Sequence, residues 1–245
     1  MQKYMYLIGV RIDNVTIEEA FEKIRNFLSD GRQHQIVTVN PEFIVRAQKD
    51  DEFKRILNEA NLVIPDGMGI IWASRILREP LKERVAGVDL IKKFKVQSSR
   101  PPRKRERCGQ AKFKVFLLGG RNGVAEKLAA QWSDVVGFSE DTDNALVSIN
   151  QCQPDILLVA LGAPKQEKWI SENLKKIPSV KLAIGVGGAF DMMAGKVKRA
   201  PKLIQEMGME WLWRLILQPW RAGRIFNAVI IFTFLILREK IKASR

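Results

Sequence analysis

A single histidine, His34, stands in the 245 residues, so a Ser-His-Asp triad or a multi-histidine zinc site would have to be built around it. "GRQHQIV" reads as a loop entering a strand, which makes packing the expected role of His34. Cysteine is nearly absent too. Cys108 and Cys152 share no metal or redox spacing and form no disulfide framework, which suits a reducing compartment. A membrane-spanning helix needs roughly 20 apolar residues. The apolar run 225–237 is short of that and contains Asn227 and Thr233. The opening "MQKYMYLIGVRIDN" has no long apolar run and no small-residue cleavage site, so no signal peptide is expected. Acidic residues are outnumbered, 27 Asp and Glu against 41 Lys and Arg, for a net charge of +14.

The location of that charge is more informative than its size. Residues 92–114 hold ten Lys and Arg against Glu106 alone, and residues 196–245 hold eleven against Glu206, Glu210 and Glu239. The rest of the chain is slightly acidic. Basicity is thus confined to one insert and one tail, which implies a partner with phosphates: nucleic acid, an anionic membrane or a phosphorylated substrate. A nucleic-acid-binding sheet would interleave its cations with aromatics. Here they sit in a Pro-containing insert and an aliphatic tail, so no nucleic-acid partner is expected.

Strand and helix patterns alternate along the chain. "QIVTV", "LVI", "KVFLLG", "DVVGF", "DILLVALG" and "VKLAIGVG" read as strands, separated by helical stretches such as "DEFKRILNEA" and "KQEKWISENLKK". Ahead of them, "GVRIDNVTIEEAFEKIRNFL" reads as one short strand and a helix with a Thr16/Glu19 capping box. Several strands are continuous apolar runs, the mark of a parallel sheet covered on both faces. The predicted class is a doubly wound, Rossmann-like α/β sheet over residues 1–195, followed by a C-terminal appendage at 196–245. With three of the six tryptophans and many aliphatics among its cations, the appendage suits a segment lying on a membrane surface. A helix packed on the sheet is the plainer alternative.

In doubly wound sheets the ligand sits outside the carboxyl ends of the strands. Those ends read "TVN", "PDGMG", "GGRNG", "GAPKQEK" and "GVGGAFD". Asp66 in "PDGMG" is a carboxylate at the mouth of a buried strand. It suits a general base, which needs a rigidly held carboxylate within hydrogen-bond reach of a hydroxyl. The alternative is a helix cap near Met68. Thr38 and Asn40 carry side chains that can hydrogen-bond a ligand at the neighbouring strand end, and Asn40 can also cap a helix starting at Pro41. Arg84 in "ERVAG" is a candidate for phosphate, because a guanidinium reads two oxygens at once; a solvated surface arginine is the alternative. Gly187 and Gly188 in "GVGGAFD" would let backbone approach a nucleotide, but Phe190 occupies the third position of a GxGxxG fingerprint, which disfavours a dinucleotide oxidoreductase. Asp191 either faces the nucleoside or caps a turn. "EDTD" is DxD in letters only, through Asp141 and Asp143, so neither metal nor cofactor is expected.

Taken together, "VTVNPEF", "IPDGMGI", "RVAGVDL", "VFLLGG", "PDILLVALGAPKQEKWI" and "GVGGAFDMMAGKVKRAP" resemble the WecG/TagA/CpsF glycosyltransferases over most of the chain. The resemblance implies an inverting, metal-independent transfer of N-acetylmannosamine from its UDP derivative to the 4-hydroxyl of undecaprenyl-diphosphate-linked N-acetylglucosamine, in wall teichoic acid linkage-unit synthesis. A related transferase of N-acetylmannosaminuronic acid or glucose in another surface polysaccharide is the alternative. It further implies a peripheral protein on the cytoplasmic face of the bacterial membrane. Asp66 falls at the family's proposed base and Gln166 at a position implicated in the site, with Lys165 beside it at a helix start. Arg214, Arg221 and Arg224 become the candidates for the leaving diphosphate, although Pro219 interrupts their helix. The oligomeric state is left open, a homo-oligomer being compatible. Two segments depart from the family pattern: the basic insert 96–113, and 132–154, which is short.

Overall fold

The computed structural model describes residues 3–98 and 113–243. The basic insert 96–113, with Cys108, falls almost wholly outside them.

The chain opens with a hairpin, β1 (Tyr4–Leu7) paired antiparallel to β2 (Val10–Asp13). The expected single strand is therefore two. Ile8 and Gly9 make the turn, both at positive φ (50° and 77°), the two-residue geometry whose twist matches the flanking strands. Helix α1 (Ile17–Ser29) follows. Its Thr16 Oγ1 accepts from the Glu19 N–H at 3.2 Å, and Glu19 Oε2 accepts from the Thr16 N–H at 2.9 Å, a complete capping box.

Next come β3 (His34–Val39), α2 (Pro41–Ala47), α3 (Asp51–Glu59), β4 (Leu62–Pro65), α4 (Met68–Ile76) and α5 (Gly87–Ser98). They lead into β5 (Val115–Gly119), α6 (Val124–Gln131), β6 (Val135–Ser139), α7 (Ala145–Cys152), β7 (Ile156–Ala160), α8 (Lys165–Asn173), β8 (Leu182–Gly185) and α9 (Ala189–Met193). The tail holds α10 (Lys202–Glu206), α11 (Glu210–Leu217), α12 (Ala222–Phe226) and α13 (Phe232–Ala243).

Strands β3 to β8 form one sheet in the order β4-β3-β8-β7-β5-β6. The pairs β3–β8, β8–β7, β7–β5 and β5–β6 are all parallel. Every residue of β3, β4, β5 and β8 is buried, as strands covered on both faces are; in β3 these include the polar His34, Gln35 and Thr38. The chain leaves β5 for β6 on one side and β7 for β8 on the other, so the strand order reverses between β5 and β7. Such a reversal opens a ligand crevice at the carboxyl ends.

By density of contacts the chain divides into two compact units. The first comprises residues 1–20, 37–86 and 198–245, and the second 21–36 and 87–197; β3 passes from one to the other. In the second unit, Phe116, Leu118, Leu157 and Val159 of the sheet pack with Ile149 of α7 and Ile170 of α8. In the first, the tail's Phe232 and Ile236 are buried on one face of α13, which packs against α2 and α4.

Candidate active site

In the first unit the site grows from the ends of β3 and β4. The Asp66 N–H donates to the Val39 carbonyl at 2.7 Å, fastening one strand end to the next. Asp66 itself is half-buried. The residue at the N-cap of α4 is Gly67, at φ +106°, a conformation that side chains rarely adopt, so Asp66 is not the cap residue. A Cβ at Gly69 would stand 2.7 Å from Pro41 Cγ. The two glycines of "PDGMG" thus have separate reasons, one conformational and one of close approach. Asn40 does cap α2: its Oδ1 accepts from the N–H groups of Glu42 (2.9 Å) and Phe43 (3.3 Å). Thr38 is buried in β3.

The Val85 N–H donates to the Pro65 carbonyl at 2.9 Å, which brings "ERVAG" alongside the same strand end. Arg84 then reaches Glu210 of α11, Nη1 to Oε2 at 3.1 Å. Arg214 reaches the other oxygen of that carboxylate at 3.3 Å, and Arg199 lies 3.9 Å from it. Arg84 and Lys202 line a cavity of about 230 Å³ with Met68 and Gln205. Arg224 lies elsewhere: exposed, it forks onto both oxygens of Glu42 at 2.9 and 3.1 Å, in the first turn of α2. The side chain of Arg221 lies outside the described residues. Of the three tail arginines, Arg214 therefore shares Glu210 with Arg84, whereas Arg224 meets α2. Between them the helix stops at Leu217, with Gln218 before Pro219.

In the second unit, Gln166 is almost fully buried. Its Oε1 accepts from the backbone N–H groups of Gly162 and Gly187, each at 3.1 Å, and its Nε2 donates to Glu167 Oε1 at 2.6 Å. One side chain thereby ties the loop after β7 to the loop after β8. The fit is close, since a Cβ on Gly185 would stand 2.6 Å from Glu167 Oε1. Lys165, the exposed first residue of α8, lies beside it. Gly188 precedes α9, and the Asp191 carbonyl accepts from the N–H groups of Lys196 and Val197. Phe190, where a third fingerprint glycine would stand, is buried with its ring where a Cβ on Gly120 would lie 2.9 Å from Cδ2.

His34 begins β3, at the end of that strand remote from Asn40. Its ring stacks on Phe27 at 4.0 Å, and Nε2 meets the Asp30 carboxylate at 2.9 Å. The backbone N–H of Arg32, then His34, hold the Asp30 carboxyl down at about 2. Asp141 belongs to a turn, its Oδ1 accepting from the Asp143 N–H at 3.2 Å. Among the described residues no group of three or more His, Cys, Asp or Glu is placed to hold a metal ion.

Sequence reasoning passed over Glu210, Arg199 and Lys202. The one signal for Glu210 was its rarity, as one of three acids among the tail's cations.

The model of the family described as Glycosyl transferase WecG/TagA/CpsF matches residues 5–245. An N-acetylglucosaminyldiphosphoundecaprenol N-acetyl-beta-D-mannosaminyltransferase from Bacillus subtilis (strain 168) is 34% identical over 215 residues, covering 84% of this chain and 79% of the relative. The protein of the same description from Staphylococcus aureus (strain MRSA252) is 30% identical over 255 residues, covering 98% and 94%.

Proposed function

The chain belongs to the glycosyl transferase WecG/TagA/CpsF family, and we propose that it transfers N-acetylmannosamine from UDP-N-acetylmannosamine to undecaprenyl-diphosphate-linked N-acetylglucosamine. The observation that carries this reading is a carboxylate on a rigid strand end, Asp66, in the same unit as a cavity lined in part by Arg84 and Lys202, the two segments being joined by the backbone hydrogen bond from Val85 to Pro65. The acceptor hydroxyl attacks the anomeric carbon from the face opposite the leaving UDP. Asp66 takes the hydroxyl proton as the new bond forms. The bond to the diphosphate breaks, and Arg84 and Arg214, with Arg221 of the tail, stabilise the charge that UDP carries away, whereas Arg224, forked onto Glu42, would have to leave α2 to join them. Thr38 and Asn40 contact the sugar. Gly187, Gly188, Lys165 and Asp191 contact the nucleotide, with Gln166 holding their two loops in register.

The same reading makes residues 1–195 the catalytic core and 196–245 an appendage that lies on the cytoplasmic face of the membrane. No helix among the described residues is long and apolar enough to cross a membrane. The tail exposes Leu203, Ile216, Trp220 and Phe234 among its cations, as a surface-lying segment does.

The test is a panel of UDP-sugars assayed against a lipid-diphosphate N-acetylglucosamine acceptor. Product from UDP-N-acetylmannosamine alone supports the reading. Preference for a uronic acid or glucosyl donor shifts it to another surface polysaccharide, and no product from any donor rejects it.

A further inference from the structure

Glu210 stands in the first turn of α11, where the helix dipole favours a carboxylate. Around it are Arg84 at 3.1 Å, Arg214 at 3.3 Å and Arg199 at 3.9 Å. The Arg84 and Glu210 side chains are each only 16% exposed, so this pair is largely shielded from solvent. The start of α11 is itself fixed, because a Cβ on Gly208 would stand 2.8 Å from the Trp72 ring and 2.9 Å from Met68.

We propose that Glu210 is a positioning residue, which aims Arg84 and Arg214 at the diphosphate of the donor. The inference rests on the reading that this cavity receives the UDP group. An arginine has several rotatable bonds, and like charges this close repel. Three guanidiniums converge here because one carboxylate draws them inward, one oxygen to Arg84 and the other to Arg214. The fork of each guanidinium leaves further N–H groups to donate to phosphate oxygens. A guanidinium already held in place loses little freedom when the ligand arrives.

The two simplest expectations for removing this charge have opposite signs. Glu210→Gln adds one unit of positive charge to the site, so charge alone predicts tighter anion binding. Positioning predicts weaker binding. Calorimetric titration of UDP into the full chain, at fixed salt, separates them. Glu210→Gln should weaken UDP binding by roughly 10-fold, the scale of losing pre-organisation at one or two side chains. In an Arg84→Ala background the same change should have much less effect, because the two residues act as a unit. Glu210→Asp, which keeps the charge and shortens the reach, should fall between. UDP binding to Glu210→Gln at wild-type strength or tighter overturns the proposal, as does an equal loss with and without Arg84. If Glu210→Gln melts far below the wild type, Glu210→Asp decides: weaker UDP binding supports positioning, and unchanged affinity overturns it. A wild type that binds UDP but transfers no sugar rejects the reaction without touching the role of Glu210. A wild type that binds no UDP overturns the positioning role too.

Discussion

Asp66 is tied to Val39 through its backbone N–H, at 2.7 Å, so its main chain takes its place from the sheet and not from the helix that follows. That helix begins at Met68 behind Gly67, which has no side chain to cap it. A carboxylate in this position has its geometry supplied by two buried strands, which is what proton abstraction in a transition state asks for. Asp66→Asn should fold normally and bind UDP as before, while turnover falls by roughly 100-fold or more. Turnover at the wild-type rate would return Asp66 to a turn residue.

Metal dependence follows from the distribution of carboxylates. Asp141 and Asp143 bond to one another within a turn, and the charged residues lining the cavity are the cations Arg84 and Lys202. Guanidiniums can supply the countercharge that a metal provides elsewhere. Activity should therefore survive a strong chelator. Loss that Mg²⁺ or Mn²⁺ restores would reopen Asp141 and Asp143 as ligands.

The strand ends were legible in the sequence for a physical reason. A parallel strand buried on both faces is mostly apolar, so polar residues and glycines mark where the sheet stops, as at "PDGMG" and "GVGG", although β3 carries Thr38 inside it. The hairpin β1–β2 was not legible, because Ile8 occupies a positive-φ turn position where Asn, Asp or Gly is usual. Gln166 was legible as a residue of the site but not in its manner. At a helix start it suggested a ligand contact, and only the fold shows its amide spent on Gly162 and Gly187. The Glu210 cluster left no trace in the sequence beyond the rarity of acids in the tail, since Arg84 and Glu210 are 126 residues apart.

The Gln166 arrangement carries its own prediction. Gln166→Ala leaves the part-buried N–H groups of Gly162 and Gly187 without this acceptor, and an unmet polar group costs up to about 1–3 kcal/mol when fully buried. The melting temperature should drop and UDP affinity should fall with it, because both loops lose their common anchor. Gly185→Ala should destabilise by about 1–3 kcal/mol through overpacking against Glu167. Unchanged melting in both variants would mean that the loops hold their places by other contacts.

Asp30 gives a pH dependence with a definite sign. Its carboxyl is lowered from 3.8 to about 2, first by the Arg32 backbone N–H and then by His34. A carboxyl with a depressed folded pKa stabilises the fold above its unfolded value and loses that contribution as pH falls through the folded one. Asp30→Asn should therefore melt earlier than the wild type at neutral pH, and the gap should close between about pH 4 and pH 2. Activity should hardly change, since His34 lies at the far end of β3 from Asn40. A melting gap that stays constant down to pH 2 would show that the Asp30 charge contributes nothing.

The tail joins two roles that substitutions can separate. Trp220 is 76% exposed and Phe234 65%, and neither side chain is among those lining the cationic cavity. Burying such a ring in an apolar environment contributes about 1.5–3 kcal/mol when complete. Each nearby cation adds about 1 kcal/mol at an anionic surface. Trp220→Ala with Phe234→Ala should therefore weaken binding to anionic liposomes by about 10–100-fold, on the conversion of 1.4 kcal/mol per tenfold. Turnover of a short-chain, water-soluble acceptor should be untouched. Arg214→Ala should do the reverse, keeping most liposome binding and losing turnover on the soluble acceptor as well. Wild-type binding should also weaken with added salt, because the cations are screened. Truncation near Gly195 removes both roles at once, and it strips Phe232 and Ile236 from the first unit, so its loss of activity would not by itself identify the arginines. The point substitutions do identify them. An Arg214→Ala chain that turns over soluble acceptor normally would show that the tail only tethers, leaving Arg84 and Lys165 to meet the diphosphate.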